Sequence, residues 1–185
     1  MAKQGEVLVN PFNKDSIEFV ETSSSTNGEY VKLKHIQFSK GQQVPDHLHV
    51  YQNEVFEVIS GTLTIEFENK IIELKAGEKI ELPKNKPHNH YNLNSDRVEY
   101  FQSVSPALDF EYLIENIAGL TADGKANNGS FGLVQELVTL KYIGSKAYLA
   151  SIPIGVQQLM MNIVAPVARL FGYRAVYKKY SGIEI

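Results

Sequence analysis

The chain has 185 residues, 43% of them hydrophobic and 21% charged, with a net charge of -3 and no cysteine. That length can bury a core as one domain with an appendage or as two small units. The missing cysteine excludes disulfides, thiolate metal sites and cysteine nucleophiles, and the slight negative charge gives no general pull toward nucleic acid. The N-terminal MAKQGEVLVNPFNK has no apolar run of signal-peptide length, so the expected location is cytoplasmic.

In chain order, alternating apolar segments near residues 16 to 21, 29 to 38, 54 to 59, 62 to 68, 70 to 74, 78 to 82 and 97 to 104 predict strands. They are separated by turn signals: Asn27-Gly28, Gly41, Gly61, Asn69 and the stretch from Pro83 to Pro87. Short strands with frequent turns imply a sandwich or barrel. At Ser105 the pattern changes. Ser105 and Pro106 read as the N-cap and first residue of a helix over about 106 to 118, whose apolar positions Phe110, Leu113, Ile114 and Ile117 recur until Gly119 stops the run. A polar loop, TADGKANNGS, follows. Ser130 then caps a second predicted helix carrying Phe131, Val134, Leu137, Val138 and Tyr142. From Ala147 to Ala168 there are 22 residues without a charge, punctuated by Pro153 and Gly155, and Pro166 is expected to kink or interrupt the run. The domain reading is a barrel over 1-105 and a helical extension over 106-185, packed on the barrel or forming an interface.

The chemistry concentrates between Gly41 and Asn92, where four of the five histidines fall. Histidines two apart on a strand point to one face with alpha carbons about 7 Å apart, whereas on a helix they diverge by about 200°. His47 and His49 therefore call for a strand. In the following segment Glu54, Phe56 and Val58 share an inner face, which sets one carboxylate among apolar neighbours. A divalent cation is the simplest compensation for a buried carboxylate facing imidazoles. His88 completes the candidate metal set. Taken singly, a histidine on an apolar face reads as a hydrogen-bonded core residue rather than a ligand, and Gly61, Gly77 and Pro83 read as hairpin punctuation.

The spacing of Gly41, His47, His49, Glu54 and Gly61, followed by Gly77, Pro83, His88 and Asn92, resembles the paired signature of the cupin superfamily. Asn85 stands where that signature has a second glycine. Asparagine tolerates the left-handed backbone such a turn needs, so the turn is expected to survive. The resemblance implies a jelly-roll barrel with the metal inside its wider half, and an all-β jelly-roll (cupin) barrel with an α-helical C-terminal extension is the expected fold class. Three imidazoles and one carboxylate without a thiolate select one divalent ion among Fe, Mn, Ni, Co, Zn and Cu, with coordination positions left open. His90, two past His88, is a candidate acid/base or a donor to the ligands, and Tyr51, two past His49, carries the same reading; packing is the alternative for both. His35 reads as structural.

Residues 119 to 185 hold seven basic residues against Asp123, Glu136 and Glu184, so this part carries +4 and the remainder -7. Gln157, Gln158 and Asn162, with two prolines, argue against a lipid-exposed span. The tail reads as a helical cap or a homodimer interface, either of which buries Leu159, Ile163, Val167, Leu170 and Phe171 against protein, or as a peripheral membrane element with basic and tyrosine anchors. Three functional classes stay open. One is a metal-dependent oxygenase, or isomerase or epimerase, acting on a small organic molecule; another is a non-catalytic small-molecule binding or sensing module; the third is a membrane-peripheral protein. No nucleic-acid-binding motif is present, and fold alone does not choose among the three.

Overall fold

Alternation of apolar and polar residues produces eleven strands among the described residues of the structure, a computed structural model covering residues 2-41, 44-126 and 132-185. They are β1 (Val7–Val9), β2 (Ser16–Glu21), β3 (Val31–Gln37), β4 (His47–His49), β5 (Asn53–Ser60), β6 (Thr62–Phe67), β7 (Lys70–Lys75), β8 (Lys79–Leu82), β9 (His88–Tyr91), β10 (Val98–Ser105) and β11 (Ala147–Leu149). The helices are α1 (Phe110–Ala122), α2 (Leu133–Tyr142), α3 (Ile154–Leu170) and the single turn α4 (Lys178–Ser181). Two antiparallel sheets face each other, one in the order β1-β2-β3-β10-β5-β8 and the other β11-β4-β9-β6-β7. The protein is a jelly-roll barrel with a C-terminal helical extension.

Strand parity decides what lies inside. On β5, Glu54, Phe56 and Val58 are buried while Glu57 and Ile59 are exposed, as their alternation predicts. On β10, Val98 and Tyr100 join Phe56, Leu63 and Ile65 in a core at one end of the barrel. Val104, at the other end of the same face, joins Phe19, Leu33, Phe110, Ile114 and Val176 in a second core shared with the helices. The polar residues Glu54 and Gln102 lie between these two apolar layers. At the β5-β6 hairpin Gly61 has φ +80°, and a Cβ there would stand 2.5 Å from the Arg97 carbonyl oxygen, so only glycine fits. Asn85 does take the left-handed conformation, with φ 63°.

The helical segment departs from the sequence expectation in several places. The first helix starts at Phe110 with Asp109 as N-cap, so Ser105 and Pro106 are not its cap pair. Ser105 is still in the β10 ladder opposite Asn53, and Gln52 Nε2 donates to the carbonyls of Pro106 and Ala107 at 2.9 and 3.1 Å, which holds those residues in a turn. Gly119 lies inside α1 rather than ending it. The Tyr180 ring sits 2.2 Å from where a Cβ would be, so this glycine marks the close packing of α4 on α1. Ser130 and Phe131 lie outside the described residues. Ala147–Leu149, expected in the uncharged run that leads into the last helix, instead forms a strand on β4. α3 runs through Pro166, whose ring faces solvent.

The largest correction concerns α3. In the single chain Leu159, Ile163, Val167, Leu170 and Phe171 are 53 to 85% exposed, so the extension does not bury them as a cap on its own barrel. The buried stripe is Gln157, Met161, Ala165 and Ala168, about 200° around the helix. Both stripes repeat at helical spacing. The covered stripe is the one whose Met161 packs with Leu137 and Tyr148 and whose Gln157 donates to the Leu149 and Ile152 carbonyls at 2.9 and 2.6 Å. No helix among the described residues is long and apolar enough to cross a membrane.

Candidate metal centre

β4 is three residues long, yet three contacts hold it in place. His47 pairs with His88 of β9, β11 sets Ala147 opposite His49 and Leu149 opposite His47, and the Asn85 N–H donates to the His49 carbonyl at 2.7 Å. The chain entering β4 is pinned by the buried Asn89 side chain, whose amide donates to the Val44 carbonyl and the Asp46 carboxylate at 2.9 and 2.8 Å. Between the two histidines Leu48 turns the other way and packs against Leu137, Tyr148 and Met161. Period-two alternation thus aims both imidazoles inward while the intervening leucine anchors the strand to the helices.

One ligand atom from each of His47, His49, Glu54 and His88 lies within 4.8 Å of the others, and all but His47 are fully buried. His88 Nε2 stands 2.7 Å from Glu54 Oε2, and His49 Nε2 3.6 Å from Glu54 Oε1. Burial pushes the Glu54 carboxyl up, but the neighbouring His49, the His88 hydrogen bond and the charge of the other imidazoles together hold it well below the ordinary carboxylate range. Burial lowers His49 and takes His47 down to about 4. His88 goes the other way: burial opposes its charge, but its hydrogen bond to Glu54 outweighs that.

These residues fit a divalent ion. The Nδ1 atoms of His47 and His88 lie 2.9 Å from the carbonyls of Pro45 and Lys86. Donating there leaves each Nε2 facing inward with its lone pair, the arrangement that orients imidazole ligands. The 2.7 Å contact of His88 with Glu54 then requires either a second proton on the ring or a cation shared by both groups. The four residues could hold one metal ion, and nitrogen and oxygen donors without sulfur suit the borderline divalent ions.

Two further residues belong to the site. Gln102 Nε2 donates to Glu54 Oε1 at 2.7 Å, and its Oε1 pairs with His35 Nε2 at 2.9 Å. His35, read from sequence as structural, is thereby tied to the ligand carboxylate while it stacks on Tyr100 with ring centroids 4.7 Å apart. Gln102 carried a legible signal, a polar residue in register with Tyr100 and Val104 on an apolar face. His90 lines the cavity above the cluster beside Phe56. Burial takes it down to about 3 and keeps it neutral, and its Nδ1 has no hydrogen-bond partner among the described residues. Tyr51 is 56% exposed and is not in the cavity wall.

Residues 34–104 match the family model of the cupin domain. Among curated proteins, the quercetin 2,3-dioxygenase of Bacillus subtilis (strain 168) is 27% identical over 89 residues, which is 48% of this chain and 26% of that enzyme. The chain therefore matches about a quarter of that relative's length. Among solved structures, KdgF from Halomonas sp. is 18% identical, with 52% of this chain and 84% of that one covered at a TM-score of 0.45. A sugar phosphate isomerase from Silicibacter pomeroyi is 12% identical, with 54% and 70% covered at 0.46. The family match coincides with the strands that carry all four candidate ligands, and residues 34–104 of this chain are accordingly a cupin domain.

Proposed function

We propose that His47, His49, Glu54 and His88 bind one divalent metal ion and that the protein is a metal-dependent enzyme of the dioxygenase type, acting on a small organic molecule. The observation that carries this reading is the convergence of the four ligand atoms, three of whose residues, His47, His49 and Glu54, line a cavity of about 320 Å³. A bound divalent ion would supply an electrophilic centre with open positions for small ligands. The chain's own residues supply the rest. Gln102 holds the Glu54 carboxylate from the side away from His88, the Pro45 and Lys86 carbonyls fix two imidazole orientations, and Phe110 packs against the His49 ring as Phe56 does against His90.

Dioxygenation is favoured over isomerisation or epimerisation by the protonation states of the neighbours. Abstraction of a proton calls for a base whose pKa lies near the operating pH. Burial takes His35 down to about 4 and His90 to about 3, and it raises the Tyr100 hydroxyl far above its ordinary value. These groups hold their protons fixed at neutral pH. A reaction in which both oxygen atoms of O2 enter the substrate needs no proton shuttle and no external reductant. The partial match to a quercetin dioxygenase supports the same class.

Metal content measured on purified wild type and on His49→Ala, after reconstitution with each candidate ion, tests the first step. Near-stoichiometric metal in the wild type and a small fraction of it in the variant is expected. Oxygen uptake with an electrode, over a panel of enolic and aromatic compounds, tests the second. Metal binding without oxygen uptake, joined to ligand-dependent protection from unfolding, would instead mark a binding module.

A further inference from the structure

Most of the apolar wall of the cavity is built by the segment after residue 105. α1 contributes Phe110, Leu113 and Ile117, α2 contributes Leu137 and Leu140, and α3 contributes Met160. Phe110 reaches the metal cluster itself, with its ring centroid 6.1 Å from that of His49. Among the described residues that line the cavity there is no lysine and no arginine, and the charged ones are Asp15, Glu54 and Glu136. Asp15 accepts from the Phe38 and Ser39 N–H groups, so it is committed to holding that loop.

From this we infer that the cavity takes a molecule with an uncharged, largely apolar body, aromatic or acyl, and that the helical extension selects that body. The inference rests on the metal-site reading for the position of the ligand's oxygen-bearing head, at the His49–Glu54 end. Away from the metal end, a phosphate or carboxylate on the body of the ligand would meet no cationic side chain among the described lining residues and would lie beside two further carboxylates, which costs more than the apolar contacts return. An apolar body meets leucine, isoleucine and phenylalanine side chains over most of its surface. Methionine at position 160 adapts to bodies of differing shape. The cavity volume is at the small end of the range for sites that enclose a small organic ligand.

The probe is a series of straight-chain alkyl hydroxamic acids, whose heads are uncharged in neutral solution and lose one proton on chelating a metal and whose tails are of increasing length, displacing the uncharged fluorophore N-phenyl-1-naphthylamine from intact protein, with metal content measured on the same samples. Affinity should rise about fourfold per methylene until the cavity is filled, the gain expected for burying one CH2. The same slope, at lower absolute affinity, is expected in metal-free His49→Ala. Ile117→Trp and Leu140→Trp, which fill the cavity from two different helices, should each weaken a long-chain hydroxamate by about tenfold or more, the loss of about two methylene contacts. Leu159→Gln/Ile163→Gln, on the exposed face of α3, should leave it unchanged, which excludes binding to that outer stripe. Fructose 6-phosphate at millimolar concentration should not displace the fluorophore. Metal-loaded protein whose hydroxamate affinity is independent of chain length, or displacement by the sugar phosphate, would overturn the inference and leave the metal reading standing. A normal chain-length slope in wild-type protein that never takes up metal would do the reverse. If either tryptophan variant fails to fold, the wild-type series still decides.

Discussion

Gln102 is a neutral side chain that keeps one ligand carboxylate and one histidine in register. Its amide has a single consistent orientation, donating to Glu54 and accepting from His35. Gln102→Leu keeps the volume but leaves the Glu54 oxygen and the His35 N–H buried without their partner. The expected destabilisation of the metal-free protein is about 1–3 kcal/mol, and metal affinity should fall by about 10- to 100-fold. Urea titration of the metal-free form and competition with a chelator measure the two effects separately. An unchanged chelator midpoint would remove Gln102 from the site.

The pH dependence of the metal-free protein also belongs to individual residues. His35 and His90 are driven by burial to about 4 and about 3, against an unfolded value near 6.5. Between pH 6.5 and 4 the unfolded chain binds protons that the folded one refuses. Stability is then fully present above pH 6.5 and falls as the pH drops, each such histidine adding a slope of up to about 1.4 kcal/mol per pH unit. His88 is raised and acts in the opposite sense, since its contribution is lost as pH rises through its folded value. Urea midpoints should therefore peak near neutrality and fall steeply toward pH 5. His35→Gln, which removes one titrating group, should flatten the acid limb; an identical limb would show that His35 is not held neutral.

At the level of elements, α3 presents two apolar or small-residue stripes on opposite faces, and only one is covered. Met161 is 3% exposed and packs with Leu137 and Tyr148, whereas Leu159 is 59% and Ile163 61% exposed. Met161→Ala should cost about 2–5 kcal/mol, as for other buried large-to-small changes, while Leu159→Gln and Ile163→Gln should each stay within about 0.5 kcal/mol. Thermal unfolding of the three variants distinguishes the faces. Equal losses would mean that the outer stripe is covered in solution. β11 shows a different side of element-level reasoning. Three residues in an uncharged run gave little reason to expect a strand, because Ala147–Leu149 is too short for periodicity to register. It forms because β4 offers a free edge that must be paired.

For the whole molecule, the extension is continuous with the barrel. β11 edges the sheet that carries His47, His49 and His88, and Phe110, Ile114, Ala175 and Val176 complete the core over Phe19, Leu33 and Val104. A fragment ending at Ser105 would leave β4 as an unpaired edge and uncover that core. It should aggregate and fail to retain metal, as judged by size-exclusion chromatography and elemental analysis. A soluble fragment with stoichiometric metal would show that the barrel stands alone.

Much of the barrel was legible in the sequence because its signals are local. Period-two alternation put Glu54, Phe56 and Val58 on one face, the H-x-H spacing required a strand at His47 and His49, and Asn85 could take the left-handed turn in place of glycine. The convergence of His88 on that set was legible only through the paired family spacing, since nothing local links it to β4. What tertiary structure alone decided depended on partners distant in sequence. The start of α1 was set by β10 pairing with β5 and by Gln52, the role of Gly119 by the Tyr180 ring, the buried face of α3 by the packing of Met161 with Leu137 and Tyr148, and the attachment of His35 to the ligand carboxylate by Gln102. Periodicity tells which residues share a face; which face is covered depends on what else the chain brings against it.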